Sequence, residues 1–412
     1  MTADPRPPNA TLLLLVTLYC AQGLPSGLIA HSLPVLLRQY GADLAVIGAL
    51  KLLALPWLLK VLWAPWVDRI ASARWGHHRG WILPLQATVI VCVATLATLP
   101  PDAIFGPVLP ALLGVLLLVN LAASTQDIAT DGLTVRLLSA RWRGLGTALQ
   151  VGGYKVGLIV SGSGLLLAVD ALGWNASMAL IAALLVLMTV PILRFDERTR
   201  LPHRAAAAEH AVGPRLLLAH YRGLLAQPGM WAWLGVVLLF KLGDSVGSPM
   251  IKPMLVDQGW RNAALGQLTL ASSLVGIAGA LIGGVLYARL GVRTALIGFG
   301  ALQAAGIAAM ALLVGHGADV SRVYAVALFE QFADGMSTVA LFAAMMQRCR
   351  AEHEGADYTL QASIQLLLAG LVGGASGVIA DAVGYPVLFG FAGLLGAAAL
   401  PFVARVALPA RA

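Results

Sequence analysis

The chain has 412 residues, 59% of them hydrophobic and only 11% charged, with a net charge of +8. Soluble domains carry about 25% charged residues, and a mean hydropathy of +0.83 excludes a polar-skinned globule. The positive balance does not signal nucleic acid, because the arginines are spread through short loops between apolar runs and form no basic domain.

A membrane span needs about 20 mostly apolar residues to cross roughly 30 Å of hydrocarbon. Punctuation by Pro, Gly and polar residues places the first at 10–37, carrying Gln22-Gly23-Leu24-Pro25-Ser26-Gly27 and His31. That stretch is long and lacks an A-x-A cleavage site, so it reads as a span and not a secretory signal. Further spans follow at 44–66, 81–100, 107–135, 144–169 and 175–194. Residues 195–227, rich in Arg and His with a short Ala run, read as a linker. The second set lies at 229–253, 264–288, 294–315, 322–346, 359–380 and 386–408. The expected fold is therefore all-α, with twelve transmembrane helices in two six-helix halves, 1–194 and 228–412, joined by 195–227. With both termini cytoplasmic, 19 Arg fall inside and 3 (Arg38, Arg261, Arg322) outside, which fixes an N-in, C-in orientation.

The halves repeat one another, which supports a parallel two-fold architecture. Gln126-Asp127-Ile128-Ala129-Thr130-Asp131-Gly132 in the fourth span matches Phe329-Glu330-Gln331-Phe332-Ala333-Asp334-Gly335 in the tenth. Asp170-Ala171-Leu172-Gly173-Trp174 matches Asp381-Ala382-Val383-Gly384-Tyr385. The first and seventh spans share interrupted Pro/Gly patterns, the latter Gly243-Asp244-Ser245-Val246-Gly247-Ser248-Pro249.

All five lysines fall in spans or at their ends, and every loop cation is Arg. A charge at the bilayer centre costs about 2.5–3.5 kcal/mol on insertion scales, so such groups face a wet cavity or an opposite charge. Lys60, near the cytoplasmic end of its span, is expected to snorkel to headgroups as an anchor. Lys51 and Lys252 lie nearer the outer end, and either role is open to them. Lys155 and Lys241 lie deeper and are expected to line a cavity, with Asp244, three residues on, available to neutralise Lys241. Asp127/Asp131 and Glu330/Asp334 are each four apart and stack on one helix face. Like charges this close resist joint ionisation, which suits proton coupling. The alternative is that they pair with cations on neighbouring helices and lock the fold. Gln22, His31, Gln126, Gln150, Tyr154 and Gln331 complete the expected substrate site, and Trp57 and Trp63 are candidates to line a route for a bulky aromatic substrate. Cys20, Cys92 and Cys349 are too few and scattered for a disulfide framework or metal site, no His or Cys pair has ligand spacing, and no phosphate-binding loop occurs. No cofactor is expected.

The loop Trp63-Ala64-Pro65-Trp66-Val67-Asp68-Arg69 and then Gly76-His77-His78-Arg79-Gly80-Trp81 resembles the major facilitator signature between helices two and three. That resemblance implies a conformational latch, in which Asp68 caps a neighbouring helix while Arg69 and Arg79 bridge to another. Ala288 stands where a second-half copy would need Asp, which argues against a symmetric latch. Ala21-Gln22-Gly23-Leu24-Pro25, Leu55-Pro56-Trp57-Leu58-Leu59-Lys60 and the Gln126–Gly132 run resemble the AmpG-type branch of muropeptide permeases and acetyl-CoA transporters, and within it most closely the siderophore permeases of the RhtX/FptX type. The resemblance implies a monomeric permease of a bacterial inner membrane, its partners being lipid, protons and a ferric siderophore imported by alternating access. Muropeptide import is the nearest alternative. Drug or metabolite export is a further one, disfavoured because Val151-Gly152-Gly153-Tyr154-Lys155 lacks the Pro typical of antiporters. A non-transporting membrane receptor is argued against by the repeated acid motif.

Overall fold

The computed structural model describes residues 7–406 except 42, 44, 45, 48, 49, 73, 202–213, 317 and 318. The Ala run of the linker and the first residues of the second span lie outside the described residues, in whole or in part.

Among the described residues the chain is helical with no β-strand, a single isolated bridge at Ser72 and Gly76 aside. Nine helical stretches among the described residues are long and apolar enough to cross a membrane. One of them, 143–194, holds two spans. The second span, cut into short segments, and the tenth, Val320–Gln347, bring the number to twelve. In hydrocarbon every backbone polar group must be satisfied internally, which leaves helices as the unit. Large apolar side chains such as Leu187, Leu371, Val378 and Leu394 stand exposed on the outside, where lipid covers them.

Breaks in the spans follow from the sequence. Pro34 has no N–H for the carbonyl four residues back, and the chain rewinds as a π-turn over Leu28–Ser32 between helices Asn9–Gly27 and Leu33–Gln39. In the second span Pro56 and Pro65 do the same, leaving Leu50–Ala54, Leu55–Leu59, Lys60–Leu62 and Ala64–Arg69 as separate 3₁₀ and α pieces. The seventh is cut at Lys241 (φ −102°, ψ 9°) between Met230–Phe240 and Leu242–Gly247.

The repeated Asp-Ala-x-Gly-aromatic motif has a geometric meaning. Gly173 (φ 79°, ψ 169°) and Gly384 (φ 79°, ψ 158°) take the same left-handed conformation, reversing the chain between spans five and six and between eleven and twelve with almost no loop. A side chain would be strained at either position.

Each half has its own apolar core, one including Leu24, Val93, Leu116 and Met178, the other Trp233, Phe240, Tyr287 and Met345. Spans five and eight meet where the halves join, and a Cβ on Gly284 would stand 2.6 Å from the Gly144 carbonyl, so only glycine permits that approach.

Candidate functional site

The polar groups of the first half converge from four spans. Tyr19, Gln22 and Ser26 form one stripe on span one, because i, i+3 and i+7 share a helix face. The Tyr19 hydroxyl donates to Asp131 Oδ1 at 2.9 Å and lies 2.8 Å from Thr134 Oγ1. Gln22 Nε2 donates to Thr130 Oγ1 at 3.1 Å. Gln150 on span five donates to the same Asp131 oxygen at 2.9 Å, and its own carbonyl accepts the Tyr358 hydroxyl of span eleven at 3.3 Å. Asp131 thus joins two spans of its own half and, through Gln150, the other half.

Lys60 corrects the sequence reading. It is buried, ion-paired with Asp127 of span four, its ammonium 5.3 Å from the Trp57 ring. Snorkelling loses because the carboxylate, already inside, needs a cation more than the ammonium needs headgroups; an unpaired buried charge is the costlier state. Trp57 and Trp63 hold the same two spans together, donating their indole N–H groups at 3.0 Å to Asn120 and to Thr125. Tyr154 packs edge-on against Trp57 at 6.5 Å. Gln126 is buried, its Nε2 without a hydrogen-bond partner among the described residues.

In the second half the pairing is inverted. Lys241, at the break in span seven, donates to Asp334 at 2.6 Å, Gln303 at 2.7 Å and Ser337 at 2.8 Å. Those three acceptors use all three ammonium donors, so Lys241 is engaged within the protein and does not stand free in a cavity as expected. Asp244 lies farther, at 3.9 Å; the principal counter-ion comes from span ten. Glu330, one turn before Asp334, is buried and accepts from Gln331 Nε2 at 2.8 Å, with the Ser248 oxygen 3.4 Å away. Among the described residues no cation lies within 4.0 Å of Glu330 or Asp131. The matched acid pairs are therefore alike in sequence and opposite in chemistry: the first acid takes the lysine in one half, the second in the other.

Beside Glu330 is a cavity of about 350 Å³ between spans seven, eight and ten, lined by Ser248, Lys252, Thr269, Ser273, Glu330 and Gln331 among others. Lys155 of span five comes close to span eight: a Cβ on Gly276 would stand 2.9 Å from its Nζ, and it lies within electrostatic reach of Asp334. Of the expected site residues, Glu330 and Gln331 line this cavity, whereas Lys155 and Asp334 are not among its lining residues. His31, on the π-turn of span one, lies exposed at the outer end against Gly162, and Lys51 and Lys252 are exposed there too.

At the end assigned to the cytoplasm, hydrogen bonds seal the halves. Asp68 accepts from the backbone N–H groups of Gly355 at 3.2 Å and Ala356 at 2.7 Å, capping helix Glu354–Val383 of the other half. Arg143 donates to the Met346 carbonyl at 2.9 Å, Gln347 to that of Ala140 at 3.2 Å, and Tyr221 of the linker helix to that of Val61 at 2.5 Å. Arg69 departs from its expected role. It is exposed and has no acid within 4.0 Å among the described residues; Asp68 works through helix-terminal N–H groups, which need no second charge. Arg79 acts inside its own half, donating to the Leu193 carbonyl at 2.8 Å. Its backbone N–H and that of His78 meet Glu197 at 2.8 Å and 3.1 Å. Burial opposes ionisation of Glu197, but the His78 ring and those two N–H groups outweigh it and hold the carboxyl below its usual range.

Replacing Asp68 with Ala removes a cap worth about 1 kcal/mol and shifts the population away from the cytoplasm-sealed state about fivefold. Spin labels on the cytoplasmic ends of spans two and eleven report it as a longer mean distance; an unchanged distance distribution refutes the latch.

Residues that sequence reading missed are Tyr19, Lys60, Gln303, Ser337 and Tyr358. Ser337 was findable, since Glu330, Asp334 and Ser337 continue one helix face; the others needed the packing of distant spans.

The family described as acetyl-coenzyme A transporter 1 matches residues 11–172. The anhydromuropeptide permease of Escherichia coli is 30% identical over 387 residues, spanning 93% of this chain and 77% of that protein. The putative transporter AmpG 4 of Rickettsia conorii is 24% identical and covers 92% of both chains. Among solved structures, the human organic anion transporter TETRAN superposes with a TM-score of 0.73 at 16% identity, covering 97% of this chain and 100% of that one. A bacterial homologue of the iron transporter ferroportin in its outward-facing state gives 0.68 at 17% identity, covering 96% and 98%. Those two similarities show the fold alone, that of major facilitator transporters. The expected siderophore substrate finds no support in these relatives, whose names point instead to the muropeptide alternative.

Proposed function

The chain belongs to the AmpG-type anhydromuropeptide permease family, a multi-pass transporter of the major facilitator fold, and on that premise we propose that it carries a muropeptide across a bacterial inner membrane into the cytoplasm, coupled to protons. The observation that carries the reading is identity of 30% sustained over 93% of the chain, which takes in both halves and both acid motifs. The chemistry of the cavity agrees. A sugar–peptide is rich in hydroxyl and amide groups, and Ser248, Thr269, Ser273 and Gln331 offer matching hydrogen-bonding side chains. The indoles of Trp57 and Trp63 are tied to span four, which leaves little of the aromatic route a siderophore reading requires.

In this mechanism the halves rock about the central polar groups. The cytoplasmic seal at Asp68 holds the state open to the periplasm. Glu330 takes the proton, because among the four candidate acids it is the one that lines the cavity and lacks a cation. Asp127 and Asp334 hold lysines in place, and Asp131 ties three spans together.

Uptake into proteoliposomes of labelled anhydromuropeptide, with a ferric siderophore as the parallel substrate, tests the reading. Accumulation of the muropeptide alone is expected. Siderophore uptake without muropeptide uptake reverses the assignment.

A further inference from the structure

The cavity beside Glu330 is uneven in what it offers a ligand. Thr269 and Ser273 donate their hydroxyl hydrogens back to the carbonyls of Leu265 and Thr269, at 2.7 Å and 2.8 Å. Ser248 donates to Asp244 at 2.6 Å, and Gln331 gives its amide N–H to Glu330. These groups present mainly oxygen lone pairs to the cavity, and such a surface suits ligand hydroxyl and amide donors. Among the described residues that line it, Lys252 alone is a cation. It is exposed and has no acid within 4.0 Å among the described residues. His31 of the first half stands exposed at the same outer end.

We propose that Lys252 is a specificity-determining residue that binds a carboxylate of the transported muropeptide, while the hydroxyl and amide groups deeper in the cavity take its neutral portion. This rests on the muropeptide reading above. An ammonium at the rim provides a charge-assisted hydrogen bond that an uncharged ligand cannot use. It also draws anionic ligands toward the mouth from the periplasmic side. Interfacial anchoring, the other role open to a lysine here, predicts no dependence on the ligand's charge.

Binding and uptake of an anhydromuropeptide with its terminal carboxyl free, or amidated, are measured on the full-length wild type, Lys252→Gln and Lys252→Arg in proteoliposomes. Amidation is expected to weaken binding to the wild type about tenfold, the scale of one charge-assisted hydrogen bond. Lys252→Gln binds both forms equally and weakly, and Lys252→Arg restores the preference, which also shows that the fold tolerates change there. If both forms are transported and the wild type does not discriminate, or Lys252→Gln still does, the carboxylate site is overturned while muropeptide transport stands. If neither form is bound, the muropeptide reading fails and the site fails with it.

Discussion

Asp334→Asn is expected to destabilise the protein by about 3–5 kcal/mol, because it leaves the Lys241 ammonium buried without its counter-ion. The structure shows why the loss is large. Lys241 is buried and its closest acid is Asp334 at 2.6 Å, whereas Asp244 stands at 3.9 Å. Gln303 and Ser337 still accept hydrogen bonds from Lys241 but supply no charge. The measurement is thermal unfolding of purified protein for Asp334→Asn, Lys241→Met and the double variant. Removing both charges recovers most of the stability, since a buried pair roughly breaks even against apolar side chains of similar volume. A double variant no more stable than Asp334→Asn would refute the pairing as the source of the loss.

Glu330→Gln leaves a folded protein that has lost proton-driven accumulation. The amide keeps the shape and an oxygen for Gln331 Nε2, but it cannot gain or lose a proton. Each pH unit across the membrane supplies about 1.4 kcal/mol per coupled proton, so an inward gradient of one unit drives wild-type accumulation up to about tenfold and the variant not at all. Exchange of labelled for unlabelled substrate at equal pH should persist in the variant, because it needs binding and rocking but no net proton movement. If Glu330→Gln still accumulates substrate in response to the gradient, the coupling assignment to this residue is wrong. Asp131→Asn is the informative companion, since Asp131 also lacks a close cation but sits behind Tyr19 and Gln150.

Much of the fold was legible residue by residue. Apolar length marked the spans within a few residues, and the paired Asp-Ala-x-Gly-aromatic motifs marked equivalent places in the two halves, whereas the breaks at Pro56 and Pro65 and the chain reversals at Gly173 and Gly384 emerged only in the structure. The candidate site was half legible. Acids four apart announced themselves because helical spacing is a local property, and the resemblance of the loop after span two implied a cap at Asp68. Lys60 was misread because its partner lies on another span, 67 positions away, and nothing local distinguishes a lysine that snorkels from one that turns inward.

The same division runs through the charges as a whole. Sequence alone determined that this protein spans a membrane, in two matched halves, with ionisable residues inside. Hydrophobic length and helical period are written along a single segment, and the bilayer converts them directly into structure. Only the tertiary structure decided which charges are spent on one another and which remain for a ligand or proton. Pairing depends on which helix faces lie side by side, so Lys60 and Lys241 became internal struts, while Glu330 and Lys252 were left facing the cavity.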